Sequence, residues 1–489
     1  MSESTRPNVI CFVTDQLRAD HLACYGNPDV RTPNIDRLAR EGVRFTESYV
    51  ANPVCSPNRA SMFTGRYPKA HRLRENGNTL PLDETTLPGV LREAGYATAS
   101  FGKIHLAPFG LTDEVPAEDH ERVESSQFWA EGGELPLPYY GLEHAYYVGG
   151  HGHYTFGHYR RELEREHPGA WEKLLPENPL EPPSGVKECW KASIPEELHY
   201  NTVIADRTIQ YLERRDDGEP FFIWCSFPDP HHPWSPPAPW CDRYAPEEVS
   251  FEPARREGEL DDLPPYMRER AWTGPDVDEQ FREIHALEYG MISMVDHQIG
   301  RVLAALEERG LMEETVVVFL SDHGDLMGDH RLSHKGPFFF RGLMRSPTII
   351  RLPGTAGRRR ASDALFSTVD LCPTLLDLAG LGVPEGVQGL SFGPVLMGEA
   401  DSLRDRIYAE YDTTGHGDRL RYLRSARWAL TYYLRNDCGL LFDLESDPEE
   451  LHNLWRDPGC AGQKRDLLEA LLRETAAADD WLPPKRCHA

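Results

Sequence analysis

Asn8-Val-Ile-Cys-Phe-Val-Thr14 is an almost unbroken apolar run that stops at Asp15, Gln16 and Arg18. A strand with one wet face alternates polar and apolar residues, whereas a strand buried on both faces reads as a continuous run. Thr315 to Leu320 repeats the pattern and ends in Ser321-Asp322-His323. Between the two, helix-like and strand-like stretches take turns. Thr32 to Gly42 reads as a capped helix stopping at a glycine, and Val43 to Tyr49 alternates like a strand. Leu87 to Gly95 with Tyr96 to Gly102 repeats the pair, as do Asn201 to Leu212 with Pro220 to Ser226 and Ile284 to Glu308 with Thr315 to Leu320. This rhythm predicts an α/β fold with a large, mostly parallel central sheet flanked by helices. Ligands in such sheets lie beyond the carboxyl ends of the strands, where Asp15 and Asp322-His323 fall.

Residues 107–198 break the rhythm with Pro, Glu, Tyr and His, and read as a long insertion over one side of the sheet. The acidic, Pro-rich stretch 228–275 reads as rim loops. After about residue 400 the texture becomes strand-like at Arg406 to Tyr411, Arg421 to Ser425, Trp428 to Leu434 and Leu440 to Leu444, with a helix from Gly462 to Ala477. The expected division is a catalytic α/β domain over 1–400, interrupted by 107–198, and a small C-terminal α+β domain with an antiparallel sheet over 401–489.

The chain has 489 residues and a net charge of −27, which speaks against nucleic acid and anionic membranes as partners. No stretch approaches the roughly 18 apolar residues of a membrane span. Val9 to Val13 is too short for a signal-peptide core and precedes no small-residue cleavage site, so a cytoplasmic location is expected. The ten cysteines (11, 24, 55, 189, 225, 241, 372, 438, 460 and 487) contain no Cys-x-x-Cys pair, and most are expected to be reduced thiols, with no zinc cluster.

Cys55 stands apart because of its neighbours, Cys55-Ser-Pro-Asn-Arg-Ala-Ser-Met-Phe-Thr-Gly65. A loop entering a helix offers backbone N–H groups and a positive dipole end to an anion, and Arg59 adds a fixed positive fork one turn on. By themselves these residues also fit a buried structural cysteine with Arg59 paired to a carboxylate.

Cys55-Ser-Pro-Asn-Arg59 resembles the signature of the sulfatase family, formylglycine-dependent hydrolases of the alkaline phosphatase superfamily. There the cysteine is oxidised to formylglycine by a separate maturation enzyme. The resemblance runs along nearly the whole chain, through Thr14-Asp-Gln-Leu-Arg-Ala-Asp20, Cys24-Tyr-Gly26, Thr32-Pro-Asn-Ile-Asp36, Thr64-Gly-Arg-Tyr-Pro68 and Gly102-Lys-Ile-His105. It continues in Ser321-Asp-His-Gly324, His334-Lys-Gly336, Asp370 to Gly380 and Leu441 to Glu450. It implies one divalent cation held by Asp15, Gln16, residue 55, Asp322 and His323. Ca²⁺ is the family's ion, and Mn²⁺ is the alternative because a His nitrogen replaces an oxygen. Gln16 departs from the commoner Asp-Asp pair, and the site loses one negative charge. The hydrated aldehyde offers one hydroxyl to attack and another to expel the transferred group. Lys103 and Lys335 correspond to the family's two sulfate-contacting lysines, and Arg59 is the arginine of the signature, a third positive charge in the pocket. His105 corresponds to the residue that deprotonates the second hydroxyl. His231, in Pro230-His-His-Pro-Trp234, corresponds to the general acid, with His232 the neighbour that the Pro-His-x-Pro register disfavours.

The implied reaction is hydrolysis of a small-molecule sulfate ester, with the maturation enzyme as a protein partner. The rival is phosphonate monoester or phosphodiester hydrolysis, whose enzymes are similar to this chain at Asp15-Gln16 and Asp322-His323. A two-zinc phosphatase has only Asp325, Asp329 and His330 to offer as further ligands. An inactive binding relative fits poorly with the intact set of site residues. Two features stay open. The aromatics of the insertion (Tyr139, Tyr140, His144, Tyr146, Tyr147, His151, His153, Tyr154, His158, Tyr159) read as a pocket wall, as packing, or as a homo-oligomer contact. Gly149-Gly-His-Gly-His153 lacks acidic or thiol partners in register, and no metal is assigned to it.

Overall fold

β1 (Asn8–Thr14) lies at the middle of the main sheet with every residue buried. The computed structural model describes residues 6–112, 118–215, 218–354, 361–415, 417–436 and 438–479. Residues 1–5, on which part of the leader reading rests, and Cys487 lie outside them. The following strands are β2 (Val43–Phe45), β3 (Ser48–Tyr49), β4 (Ala97–Gly102), β5 (His144–Gly149) and β6 (Phe156–Gly157). After them come β7 (Phe221–Ser226), β8 (Thr315–Ser321), β9 (Thr348–Arg351), β10 (Ala361–Ser362) and β11 (Phe366–Ser367). Nine form one sheet in the order β10-β2-β9-β8-β1-β7-β4-β5-β6. The run β8-β1-β7-β4-β5 is parallel throughout; β9 and β6 are antiparallel to their inner neighbours.

Successive side chains of a strand point to opposite faces, and β1 divides itself accordingly. Ile10 and Phe12 join one core, with Ile204, Ile292 and Ile299 from the helices Tyr200–Arg214 and Val277–Glu308. Val9, Cys11 and Val13 join the other, with Ala60, Met62 and Phe63 from the helix Cys55–Thr64. Both faces are covered, which is why the strand reads as a continuous apolar run.

Two sequence expectations are corrected. Val43 to Tyr49 is not one strand: after Phe45 the chain leaves β9, Thr46 N–H donates to Ser362, and β3 pairs with β11 in a separate ribbon. The insertion does not simply lie over the sheet, because β5 extends it beside β4 and β6 follows. The buried hydrophobic residues of β5 are Tyr146-Tyr147-Val148, on alternate faces, so no aliphatic run advertised it. Tyr139, Tyr140 and Tyr159 are also core residues, so packing accounts for these three.

β12 (Arg406–Asp412), β13 (Arg419–Ser425), β14 (Trp428–Tyr433) and β15 (Cys438–Asp443) form the expected antiparallel sheet. One face, with Ile407, Ala409, Leu420 and Tyr422, packs on Leu326 and Phe338 to Phe340. Leu423, Leu430 and Leu441 on the other face are covered by Leu467, Ala470 and Leu471 of the helix Ala461–Ala477. The segment bearing Lys335 is thus backed by this sheet. No disulfide joins the described cysteines to one another, and no described helix is long and apolar enough to cross a membrane.

Candidate active site

Each residue singled out from the sequence emerges at or beyond the carboxyl end of a parallel strand, or from the helix facing those ends. Asp15 and Gln16 follow β1, Lys103 and His105 follow β4, His231 follows β7, and Asp322 and His323 follow β8. Cys55 is the first residue of the helix Cys55–Thr64, whose ten residues are all buried. Gly102, at φ +101°, lets the chain turn under the site: a Cβ there would strike the Ser226 carbonyl.

Cys55 Sγ lies 2.7 Å from Lys335 Nζ, 3.2 Å from His323 Nε2 and 3.7 Å from Asp15 Oδ1. Arg59 is fully buried; its Nε donates to Asp322 at 2.7 Å and its Nη1 to Ser226 Oγ at 2.9 Å, while Nη2 is 3.5 Å from Asp15. Lys103 Nζ pairs with Asp15 Oδ2. Burial pushes the Asp15 carboxyl up, but Lys103, His231 and Lys335 prevail and hold it well below the usual carboxylate range. Burial and Asp15 likewise push the Cys55 thiol up, and Lys103, Lys335 and His323 overcome them to lower it. Burial, then Lys103 and Arg59, lower His105, whose ring stacks on Phe109 at 3.7 Å. Burial and His151 lower His231.

The donor atoms of Asp15, Cys55, Asp322 and His323 lie within 4.8 Å of one another, all buried. Two features fit a cation there. His323 Nδ1 meets the Gly324 carbonyl at 2.7 Å, which leaves Nε2 to face the cluster. The donors already converge on a positive charge, since Lys335 Nζ lies 3.1 Å from Gln16 Oε1, 3.3 Å from His323 Nε2 and 4.0 Å from Asp15 Oδ1. Gln16, at φ +65°, turns its Nε2 to Asp325 Oδ2 at 2.5 Å and His232 Nδ1 at 3.0 Å. Asp325 is thereby a second-layer anchor, Asp329 pairs with Arg18 at 2.7 Å, and His330 meets Glu259 at 3.1 Å. None of these three joins a metal-capable cluster among the described residues; the further clusters there are Asp15, His151 and His231, and Glu188, His232 and His334.

One aromatic of the insertion belongs to the site, as the pocket-wall reading allows. His151 stacks on His231 with ring centroids 3.5 Å apart and planes 3° from parallel, and its Nε2 lies 2.7 Å from Lys103 Nζ. Burial, then Lys103, press it down to about 3, a neutral imidazole. The available signal was a histidine between glycines after a strand.

Comparison with known proteins extends along the chain. The sulfatase family model matches residues 7–381, and one described as N-sulphoglucosamine sulphohydrolase, C-terminal, matches residues 328–477. An arylsulfatase of Clostridium perfringens is 31% identical over 97% of this chain and 95% of its own length. An N-acetylglucosamine-6-O-sulfatase of Bacteroides thetaiotaomicron is 27% identical over 97% and 87%. Among solved structures, the phosphonate monoester hydrolase of Agrobacterium radiobacter matches with a TM-score of 0.83 at 28% identity, covering 97% of this chain and 96% of that one.

Proposed function

The chain belongs to the sulfatase family, and on that premise we propose that it hydrolyses small-molecule sulfate esters with residue 55, converted from cysteine to formylglycine by a maturation enzyme, as nucleophile. One observation carries the reading: Cys55 Sγ sits at the convergence of Lys335, His323 and Asp15, with Arg59 and Lys103 behind them. When present, the hydrated aldehyde supplies one hydroxyl to attack sulfur and a second whose deprotonation releases sulfate.

The ion we assign to Asp15, Gln16, residue 55, Asp322 and His323 is Ca²⁺, with Mn²⁺ the alternative favoured by the His323 nitrogen; it would supply Lewis acidity that lowers the pKa of the residue-55 hydroxyl. Lys103 and Lys335 balance the sulfuryl oxygens. Arg59 spends its donors on Asp322, Ser226 and the Lys103 carbonyl, so its part is to fix the carboxylates and the field of the site. Unpairing such a buried charge costs about 3–5 kcal/mol. We assign His231 to protonate the leaving oxygen, with the proton drawn from the Lys335 ammonium at its Nε2, and His105 to take the proton from the second hydroxyl.

We place these residues in a catalytic domain over 1–400 and give the C-terminal domain, 401–489, the task of bracing the Lys335 segment. We also propose a cytoplasmic location, in keeping with scattered cysteines that form no Cys-x-x-Cys pair.

Phosphonate monoester hydrolysis is the second reading, favoured by neutral Gln16 and by the likeness to the Agrobacterium radiobacter enzyme. Both are tested on one formylglycine-bearing, metal-loaded preparation with an aryl sulfate and an aryl phosphonate monoester. The leading reading expects the larger kcat/KM for the sulfate; a larger value for the phosphonate reverses the order.

A further inference from the structure

The loop Gly149-Gly-His-Gly-His153 carries an imidazole into the site. Gly150 and Gly152 stand at φ +74° and +49°, a region that residues with a Cβ avoid. A Cβ on Gly152 would meet Pro233 Cγ at 2.6 Å, and one on Gly150 would strike the Tyr154 carbonyl. Bare backbone on both sides therefore lets His151 press against the segment that bears His231. An ammonium has donors and no lone pair, so Lys103 donates and His151 Nε2 accepts at 2.7 Å.

We propose that His151 is a positioning residue for the reaction assigned above, orienting the Lys103 ammonium with its ring nitrogen and the His231 ring with its face. The inference rests on the sulfatase reading of the site. Lys103 has three N–H bonds: one meets Asp15, one meets His151, and the third is left for an oxygen of the transferred group. The His231 ring is fixed at its edges, with Nδ1 2.5 Å from the His232 carbonyl and Nε2 2.7 Å from Lys335 Nζ. His151 covers one face at 3.5 Å and restrains the tilt that would carry a proton off the line to the leaving oxygen.

Two substitutions separate the contacts. His151→Phe keeps an aromatic face for His231 and removes the acceptor for Lys103; His151→Gln keeps an acceptor and removes the face. On metal-loaded, formylglycine-bearing protein, His151→Phe should weaken inorganic sulfate binding by calorimetry about tenfold and lower kcat/KM evenly across leaving groups. His151→Gln should leave sulfate affinity within about twofold and steepen the dependence of kcat/KM on leaving-group pKa. The same loss in both readouts for both variants overturns the proposal, as does no change in either. Failure of the functional reading looks different: the parent protein itself would neither bind sulfate nor turn over an aryl sulfate, and the role of His151 would fall with it.

Discussion

Lys335 Nζ lies 2.7 Å from Cys55 Sγ across 280 positions of sequence, and the same ammonium reaches His231 Nε2 at 2.7 Å. The nucleophile position and the assigned acid thus share one cation. Lys335→Ala should lower kcat on an aryl sulfate by about 100- to 1000-fold, the usual loss when a donor to developing charge is removed. Lys335→Arg should not restore it, because a planar fork cannot take the place of a point charge with neighbours on three sides. Steady-state kinetics decide, and activity within a few-fold of the parent would remove Lys335 from the chemistry.

His231→Ala should slow esters of basic leaving groups much more than esters of acidic ones, since a general acid matters when the departing oxygen needs a proton. A series of aryl sulfates measures the slope. An even loss across the series would make His231 a binding residue.

Asp322→Asn should abolish stoichiometric divalent cation in the purified protein, measured by elemental analysis, and chelation of the parent should stop turnover while far-UV circular dichroism keeps its shape. The sheet core does not depend on the ion, whereas the proposed ion depends on this carboxylate beside His323. Full metal content in the variant would place the ion elsewhere.

His71 gives a pH prediction away from the site. It is buried, its Nε2 is 3.1 Å from Ser61 Oγ, and Nδ1 accepts from Leu73 N–H at 3.3 Å. Burial, then Arg66, press it down to about 3. The unfolded chain binds this proton below about pH 6.5 and the folded one does not, so the stability is present above that pH and is lost as pH falls toward 3. His71→Asn keeps an acceptor for Leu73. Between pH 7.5 and 4.5 the parent should lose about 2–3 kcal/mol more than the variant in urea unfolding, on one such group alone. Parallel losses would show that His71 does not stay neutral in the fold.

What could be read in advance follows from how local each signal is. Asn8 to Thr14 and Thr315 to Leu320 announce buried strands because burial on both faces leaves no polar alternation. Asp15, Cys55, Lys103, Asp322 and Lys335 sit in short motifs whose neighbours betray them. β5 was invisible because two of its three buried hydrophobic residues are tyrosines, inside a Pro- and Glu-rich insertion. His151 stood out only as one of ten insertion aromatics, because its importance is a meeting with His231 and Lys103 that two glycines permit, and no spacing encodes that meeting. The Gln16 side chain was taken as a bare ligand, whereas its amide also ties Asp325 and His232 to the site.

The central claim is that residue 55 acts as formylglycine on sulfate esters. The most direct measurement prepares the protein with graded amounts of a formylglycine-generating enzyme and records, for each batch, the modified fraction of the residue-55 peptide by mass spectrometry and the rate on an aryl sulfate. The account predicts a rate proportional to the modified fraction and passing through zero with unmodified Cys55. A full rate from protein carrying only the unmodified cysteine, or none from fully modified, metal-loaded protein, would contradict it.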